Sequence, residues 1–71
     1  MIFLKTLKIT TEYITLQQFL KIENFISSGG EAKYYLQDNN VYVNNELENR
    51  RGRKLYPGYI ILVEEQEFEI L

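Results

Sequence analysis

The first helix of this chain has to be short, because a second helix-start signal follows soon after the first. Thr15-Leu16-Gln17-Gln18 has the spacing of a capping box, in which the Thr hydroxyl and the Gln side chain each satisfy a backbone donor left over at a helix start. Ile14 and Phe19 stand where a hydrophobic staple would fix the entry angle. Leu16, Phe19 and Leu20 form an i, i+3, i+4 apolar stripe, and the helix is expected to end near Glu23 or Asn24. Ser28-Gly29-Gly30-Glu31 then repeats the capping-box spacing. Ala32, Tyr35 and Leu36 are the buried stripe of this second helix, and Asn39-Asn40 is its stop. Its opposite face carries Gly30, Lys33, Tyr34 and Gln37 and begins at a helix N-terminus, where free N–H groups favour an anion. Lys33 and Tyr34 are therefore candidates for binding a phosphate and a base. Their ordinary alternatives are a surface lysine and a ring packed on a neighbouring element.

Strand patterns flank the two helices. Residues 2–10 alternate loosely, with Phe3, Leu7 and Ile9 on one face and Leu4, Thr6 and Lys8 on the other. Val41-Tyr42-Val43-Asn44-Asn45-Glu46-Leu47 reads as a hairpin. A two-residue Asn44-Asn45 loop would put the valines and Leu47 on different faces, whereas a three-residue loop pairs Val43 with Leu47 and keeps the apolar set together. The longer loop is expected, with one Asn in the left-handed region. Pro57-Gly58 suits a type II turn. Residues 59–63 are a nearly continuous apolar strand, and residues 67–71 are expected to pair back onto it through a turn at 64–66, with Phe68 and Ile70 on one face.

Length and charge narrow the function. At 71 residues the chain is expected to be one domain. A chain of this size buries only about 60% of its unfolded surface, which leaves little room for an internal active site. Without cysteine it has no disulfide or thiolate metal site, and no long apolar run opens the sequence, so the expected compartment is the cytoplasm. Asn49-Arg50-Arg51-Gly52-Arg53-Lys54 holds four of the eight basic residues and no acid. Gly52 has no side chain to hold the backbone away from an anionic chain. The net charge of −2 hides an uneven distribution: Glu64, Glu65, Glu67 and Glu69 crowd the last eight residues, and the other 63 carry eight basic against six acidic groups, or +2. It is the local field that steers a polyanion. The competing arrangement has the acidic tail folding back to neutralise the basic loop. Burial of Phe68, Ile70 and Leu71 favours a core strand instead.

Helix, helix, hairpin, basic loop and Pro-Gly turn stand in the order of a known domain. Residues 14–63 resemble the S-four-like (alpha-L) RNA-binding domain, and within it most closely the small stand-alone bacterial YaaA proteins encoded beside the RecF repair protein. The resemblance is carried by Thr15-Leu16-Gln17-Gln18-Phe19-Leu20-Lys21, Gly29-Gly30-Glu31-Ala32-Lys33, Val41-Tyr42-Val43-Asn44, Asn49-Arg50-Arg51-Gly52-Arg53-Lys54-Leu55 and Pro57-Gly58. It implies an α+β fold, two short helices packed on a small, mainly antiparallel sheet. Around the motif core the N-terminal strand would occupy residues 2–10 and a C-terminal hairpin residues 59–71. The chain departs from the wider superfamily at Thr15, which replaces an Arg, and at Ser28-Gly29, which replaces Ser-Arg. Asn45 replaces the Gly of Val-Asn-Gly, and Tyr59 the Asp of Pro-Gly-Asp.

The expected function is non-catalytic binding of structured, ribosomal RNA, in ribosome assembly or maturation. Arg50, Arg51, Arg53, Lys54 and Lys33 would contact phosphates, with Gly29, Gly30 and Tyr34 at the second helix N-terminus. A monomer is expected, with no cofactor, metal, membrane or small-molecule substrate. The alternative is a protein-interaction adaptor of the replication or repair machinery, using Tyr56, Tyr59 and the acidic C-terminus. An enzyme is disfavoured because the chain has neither His nor Cys, the commonest general base and the readiest nucleophile. A ubiquitin-like sulfur carrier would end in Gly-Gly, and this chain ends Ile70-Leu71. Tyr13, Tyr35, Tyr42, Tyr56 and Tyr59 are expected to be strand and core-edge residues.

Overall fold

The computed structural model of the protein describes residues 4–71. In chain order come β1 (Leu4–Leu7), β2 (Ile14–Thr15), α1 (Leu16–Ile22), a 3-10 turn (Gly29–Glu31), α2 (Ala32–Asp38), β3 (Val41–Val43), β4 (Glu46–Glu48), β5 (Lys54–Leu55), β6 (Ile60–Val63) and β7 (Gln66–Ile70). Five strands form a sheet in the order β1-β7-β6-β3-β4, antiparallel except for the parallel β1–β7 pair. β2 and β5 make a separate two-stranded ladder. The fold is the expected α+β arrangement. Among the described residues no helix is long and apolar enough to cross a membrane.

α1 begins as its sequence dictates. The Gln18 N–H donates to Thr15 Oγ1 at 3.2 Å, and the Thr15 N–H donates to Gln18 Oε1 at 2.8 Å, so both halves of the capping box are made. The helix stops because Asn24 takes a left-handed conformation, φ 64°. Its N–H donates to the Lys21 carbonyl and the Phe25 N–H reaches back to Leu20, the bond pair of a Schellman motif.

The second start differs from expectation. Ser28 makes no side-chain cap, a 3-10 turn intervenes, and α2 proper starts at Ala32. The Glu31 carboxylate accepts from the Ser27 N–H at 3.2 Å rather than from Ser28. Gly29 lies against α1, where an added Cβ would meet the end of the Gln17 side chain at 2.4 Å.

Both helices cover one face of the sheet. Leu16, Phe19 and Leu20 of α1 and Ala32 and Leu36 of α2 join Val41, Val43, Ile61, Val63, Phe68 and Ile70 in one core, with Leu7 and Ile9 packed at its margin. Phe68 meets Phe19 edge to face at 5.0 Å and 84°, and Phe25 at 5.9 Å and 86°. The acidic segment is therefore a strand between β1 and β6, with Phe68 and Ile70 inward as expected, whereas Leu71, expected to be buried with them, is 49% exposed past the end of the strand. Of the expected 2–10 strand, β1 takes Leu4–Leu7, residues 8–10 lie past its end, and residues 2 and 3 lie outside the described residues.

The hairpins correct the sequence reading. Val43 pairs with Glu46, Tyr42 with Leu47 and Val41 with Glu48, so the β3–β4 loop has two residues and not three. Asn44 and Asn45 both have positive φ, 51° and 70°, the backbone of a type I′ turn, whose twist matches that of the flanking strands. Turn geometry overrides the apolar set: Leu47 is left exposed and Glu48 is turned inward, 5% exposed. The β6–β7 turn is also two residues long, Glu64-Glu65, with Val63 opposite Gln66. Pro57-Gly58 forms its turn as expected, with Gly58 at φ 95° and the Tyr59 N–H donating to the Tyr56 carbonyl at 3.0 Å.

Glu64 and Glu65 sit at φ 49° and 66°, where a side chain with a Cβ costs roughly 1–2 kcal/mol. Glu65→Gly is expected to stabilise the fold by about 1 kcal/mol and to raise the melting temperature by ~4–8 °C, read by thermal denaturation. An unchanged or lower melting temperature would show that the turn carries no such strain.

Candidate nucleic-acid interface

The basic loop, residues 49–53, runs from β4 to β5 and is tied down at three points. Its backbone caps α1: the Leu16 N–H donates to the Arg53 carbonyl at 2.8 Å and the Gln17 N–H to the Arg51 carbonyl at 2.9 Å. These are orphan donors of the α1 start, so the helix holds the loop as the loop completes the helix. Within the loop, the Arg53 N–H donates to the Arg50 carbonyl at 3.1 Å, closing a turn. The third tie is Glu48.

The Glu48 carboxylate, turned inward by the hairpin register, collects four donors. Oε2 accepts from the Arg50 backbone N–H at 3.0 Å and from Arg50 Nε at 2.9 Å. Oε1 accepts from the second Arg50 amine nitrogen at 3.0 Å and from Arg53 at 2.9 Å. The Arg50 fork is bidentate, the strong form of this pair. These hydrogen bonds, with that of Arg50 foremost, hold the Glu48 carboxyl at about 2 against the usual 4.5, although burial alone would push it up. In return Glu48 raises the already high pKa of both arginines.

The two arginines are unequal. The Arg50 side chain remains 71% exposed and offers its outer edge to solvent, whereas that of Arg53 is 25% exposed and lies over the Tyr59 ring at 5.8 Å. Arg53 thus braces the loop, and Arg50 both braces it and faces outward.

Between the loop and α2 lies an open hollow of about 710 Å³ lined by Lys33, Leu36, Gln37, Asn49, Arg50, Arg51 and Gly52. Three cations from two elements converge there, and its lining contains no acid. Gly52 is exposed, and a Cβ added to it would meet nothing within 4 Å. A smaller hollow on the other side of the loop, about 470 Å³, is lined by Arg50, Gly52, Arg53, Lys54, Tyr56 and Tyr59. Lys54 lies over the Tyr13 ring at 5.0 Å, and Tyr13, Tyr56 and Tyr59 follow one another with centroids 5.6 Å apart at each step.

Lys33, Arg50 and Arg51 are therefore brought together, with Arg53 and Lys54 on the reverse side of the same loop. Gly29, Gly30 and Tyr34 line neither hollow: Gly29 is packed on Gln17, Gly30 is open to solvent, and Tyr34 stands 64% exposed on α2. The start of α2 supplies its own acid in Glu31. Sequence reasoning missed Glu48. Its signal was present, because a two-residue Asn-Asn turn places Glu48 on the core face beside Val41, where a carboxylate needs the donors two and five residues ahead.

The S4 domain family model matches residues 7–71. The chain belongs to the S4 domain family. A relative in Bacillus subtilis (strain 168), named "Probable ribosome maturation protein RlbA", is 53% identical over 58 residues, 82% of this chain and 82% of the relative. The matched span of the S4 domain takes in both helices, the basic loop and the hollow between α2 and that loop.

Proposed function

We propose that this S4 domain is a non-catalytic RNA-binding protein acting on structured ribosomal RNA during ribosome maturation. The observation that carries this reading is the hollow in which Lys33 of α2 meets Arg50 and Arg51 of a loop already fixed by Glu48 and by the start of α1. The name of the Bacillus subtilis relative supports the ribosomal setting. It offers nothing to the alternative of a replication or repair adaptor.

In this reading Arg51, Lys33 and the outer edge of Arg50 take phosphates from one side of the loop, and Lys54 takes one from the other. Gly52 lets an RNA backbone approach between them. Tyr56 and Tyr59 border Lys54 and give a flanking base an aromatic surface. Arg53 acts through Glu48 and Tyr59 and not as a phosphate ligand. Recognition by backbone and shape across a shallow groove gives modest sequence dependence. The domain works as a monomer and needs no cofactor.

Neutralising three to five phosphates sets a slope of about −2 to −4 for log K against log salt. The double substitution Lys33→Ala, Arg51→Ala is expected to leave the melting temperature within a few degrees, since neither side chain makes an internal hydrogen bond or ion pair among the described residues. It is expected to flatten the slope by about 1.5 and to weaken binding to a ribosomal RNA fragment roughly tenfold or more at low salt. Fluorescence anisotropy over a salt series reads both. An unchanged slope would remove this hollow as the RNA site.

A further inference from the structure

The sheet has a second face, and its composition is the reverse of the loop's. Pairing registers carry one row of side chains across all five strands: Leu47, Tyr42, Leu62, Glu67 and Leu4. A second row runs Ile60, Glu69 and Thr6. The helices pack on the opposite face, against Val41, Val43, Ile61, Val63, Phe68 and Ile70, and no helix among the described residues covers these rows. Leu47 is 63% exposed and Leu4 52%. Leu47, Tyr42 and Leu62 are contiguous, with Tyr42 and Leu62 half-buried and Glu67 separating them from Leu4, and an apolar run left open on a small domain marks an interaction surface.

Charge decides what fits. Glu67 and Glu69 stand within the rows, and Glu65 lies in the turn at one end, whereas Glu64 of the same turn reaches to the helix side, where its carboxylate accepts from the Tyr35 hydroxyl. Neither Glu67 nor Glu69 has an ion pair among the described residues. On β1, Lys5 turns to the helix-covered face over the Phe68 ring, while alternation puts Lys8 on the open face one step past Thr6, where the hydrogen bonds of Leu71 to Leu7 and Ile9 continue the ladder, so two glutamates of the rows outnumber one lysine. A nucleic acid or an anionic membrane is repelled by such a face. A second copy is disfavoured too, since it would set glutamates against glutamates. We propose that the open face of the sheet binds a basic amphipathic segment of a protein partner, its apolar side chains on Leu47, Tyr42 and Leu62 and its lysines or arginines on Glu67 and Glu69. RNA on the loop and this segment on the sheet occupy opposite faces, so the protein can hold both at once.

The test is a nuclear magnetic resonance titration of the full chain with two synthetic peptides of equal length, one alternating lysine with valine and the other glutamate with valine. The basic peptide is expected to shift the amides of Tyr42, Leu47, Leu62, Glu67 and Glu69 and to bind at least tenfold more tightly than the acidic one. Glu67→Lys, Glu69→Lys is expected to reverse that preference. Leu47→Lys, at an exposed position that leaves the core untouched, provides a second variant and is expected to weaken the basic peptide at least fivefold. Equal binding of the two peptides, shifts centred on Lys33 and Arg51, unchanged preference in both variants, or no shifts at all would overturn the proposal. Ribosomal RNA added to the same sample is expected to move the Lys33 and Arg51 amides, which tests the RNA reading separately.

Discussion

Replacing Glu48 with Gln is expected to weaken RNA binding roughly tenfold although it makes the protein more positive by one charge. A pure field argument predicts the opposite sign. The loop geometry decides otherwise: Glu48 accepts four hydrogen bonds and holds both arginines in place before RNA arrives. Without it the Arg50 side chain, with the loop that Arg53 braces, has to be ordered at the moment of binding, at about 0.5–1.5 kcal/mol per immobilised side chain, and tenfold corresponds to about 1.4 kcal/mol. The same substitution is expected to cost about 2 kcal/mol of stability and lower the melting temperature by ~10 °C. Breaking a fully buried pair costs more, but the Arg50 side chain is largely in water and its attraction is screened. The pH dependence carries a sign that can be checked. Glu48 titrates near 2 in the fold and near 4.5 when unfolded, so its contribution is complete above pH 4.5 and is lost as pH falls toward 2. The melting-temperature gap between wild type and Glu48→Gln should therefore be constant at neutral pH and close across that acid window. Tighter RNA binding by the variant would make Glu48 a competitor for the arginines and not their scaffold.

The second large effect is expected at Phe68. Its ring is 1% exposed and fills the space between Phe19 and Phe25. Phe→Ala in such a position costs about 3–5 kcal/mol. A domain of this size has a total stability of roughly 4–10 kcal/mol, so Phe68→Ala is expected to be largely unfolded well below the wild-type melting temperature. Urea denaturation followed by circular dichroism measures the loss. Removing residues 64–71 is expected to unfold the domain outright, since that cut takes away the strand that joins β1 to β6. A folded, tighter-binding truncation would show the glutamates to be an inhibitory tail and not a core strand.

Where local chemistry determined the outcome, the sequence was readable. The Thr15–Gln18 box, the stop at Asn24, the Pro57-Gly58 turn and the inward Phe68 and Ile70 all depend on neighbours within a few positions or on simple alternation. Where two local signals disagreed, the reading went astray. At Val43–Leu47 the apolar pattern argued for one register and the Asn pair for another. The turn prevailed because one face of the sheet is open and leaves Leu47 in solvent without a large cost. Ser28 makes no cap because a 3-10 turn precedes α2, and the Glu31 carboxylate that would complete the box accepts from Ser27 instead. Both differences reach the site. The register turns Glu48 inward and makes Arg53 a brace, while the 3-10 turn moves the true start of α2 to Ala32, beside Lys33.

The parallel pairing of β1 with β7 also has a kinetic consequence. Leu4 lies beside Glu67, so this ladder closes nearly the whole described chain into a single loop. The β3–β4 and β6–β7 hairpins close over two residues each and can form early, whereas the β1 edge carries the largest loop-closure entropy and docks last. During synthesis β1 emerges before β7, its sheet partner among the described residues. Until β7 leaves the ribosome that ladder cannot close, so the five-stranded sheet is completed only once β7 has been made.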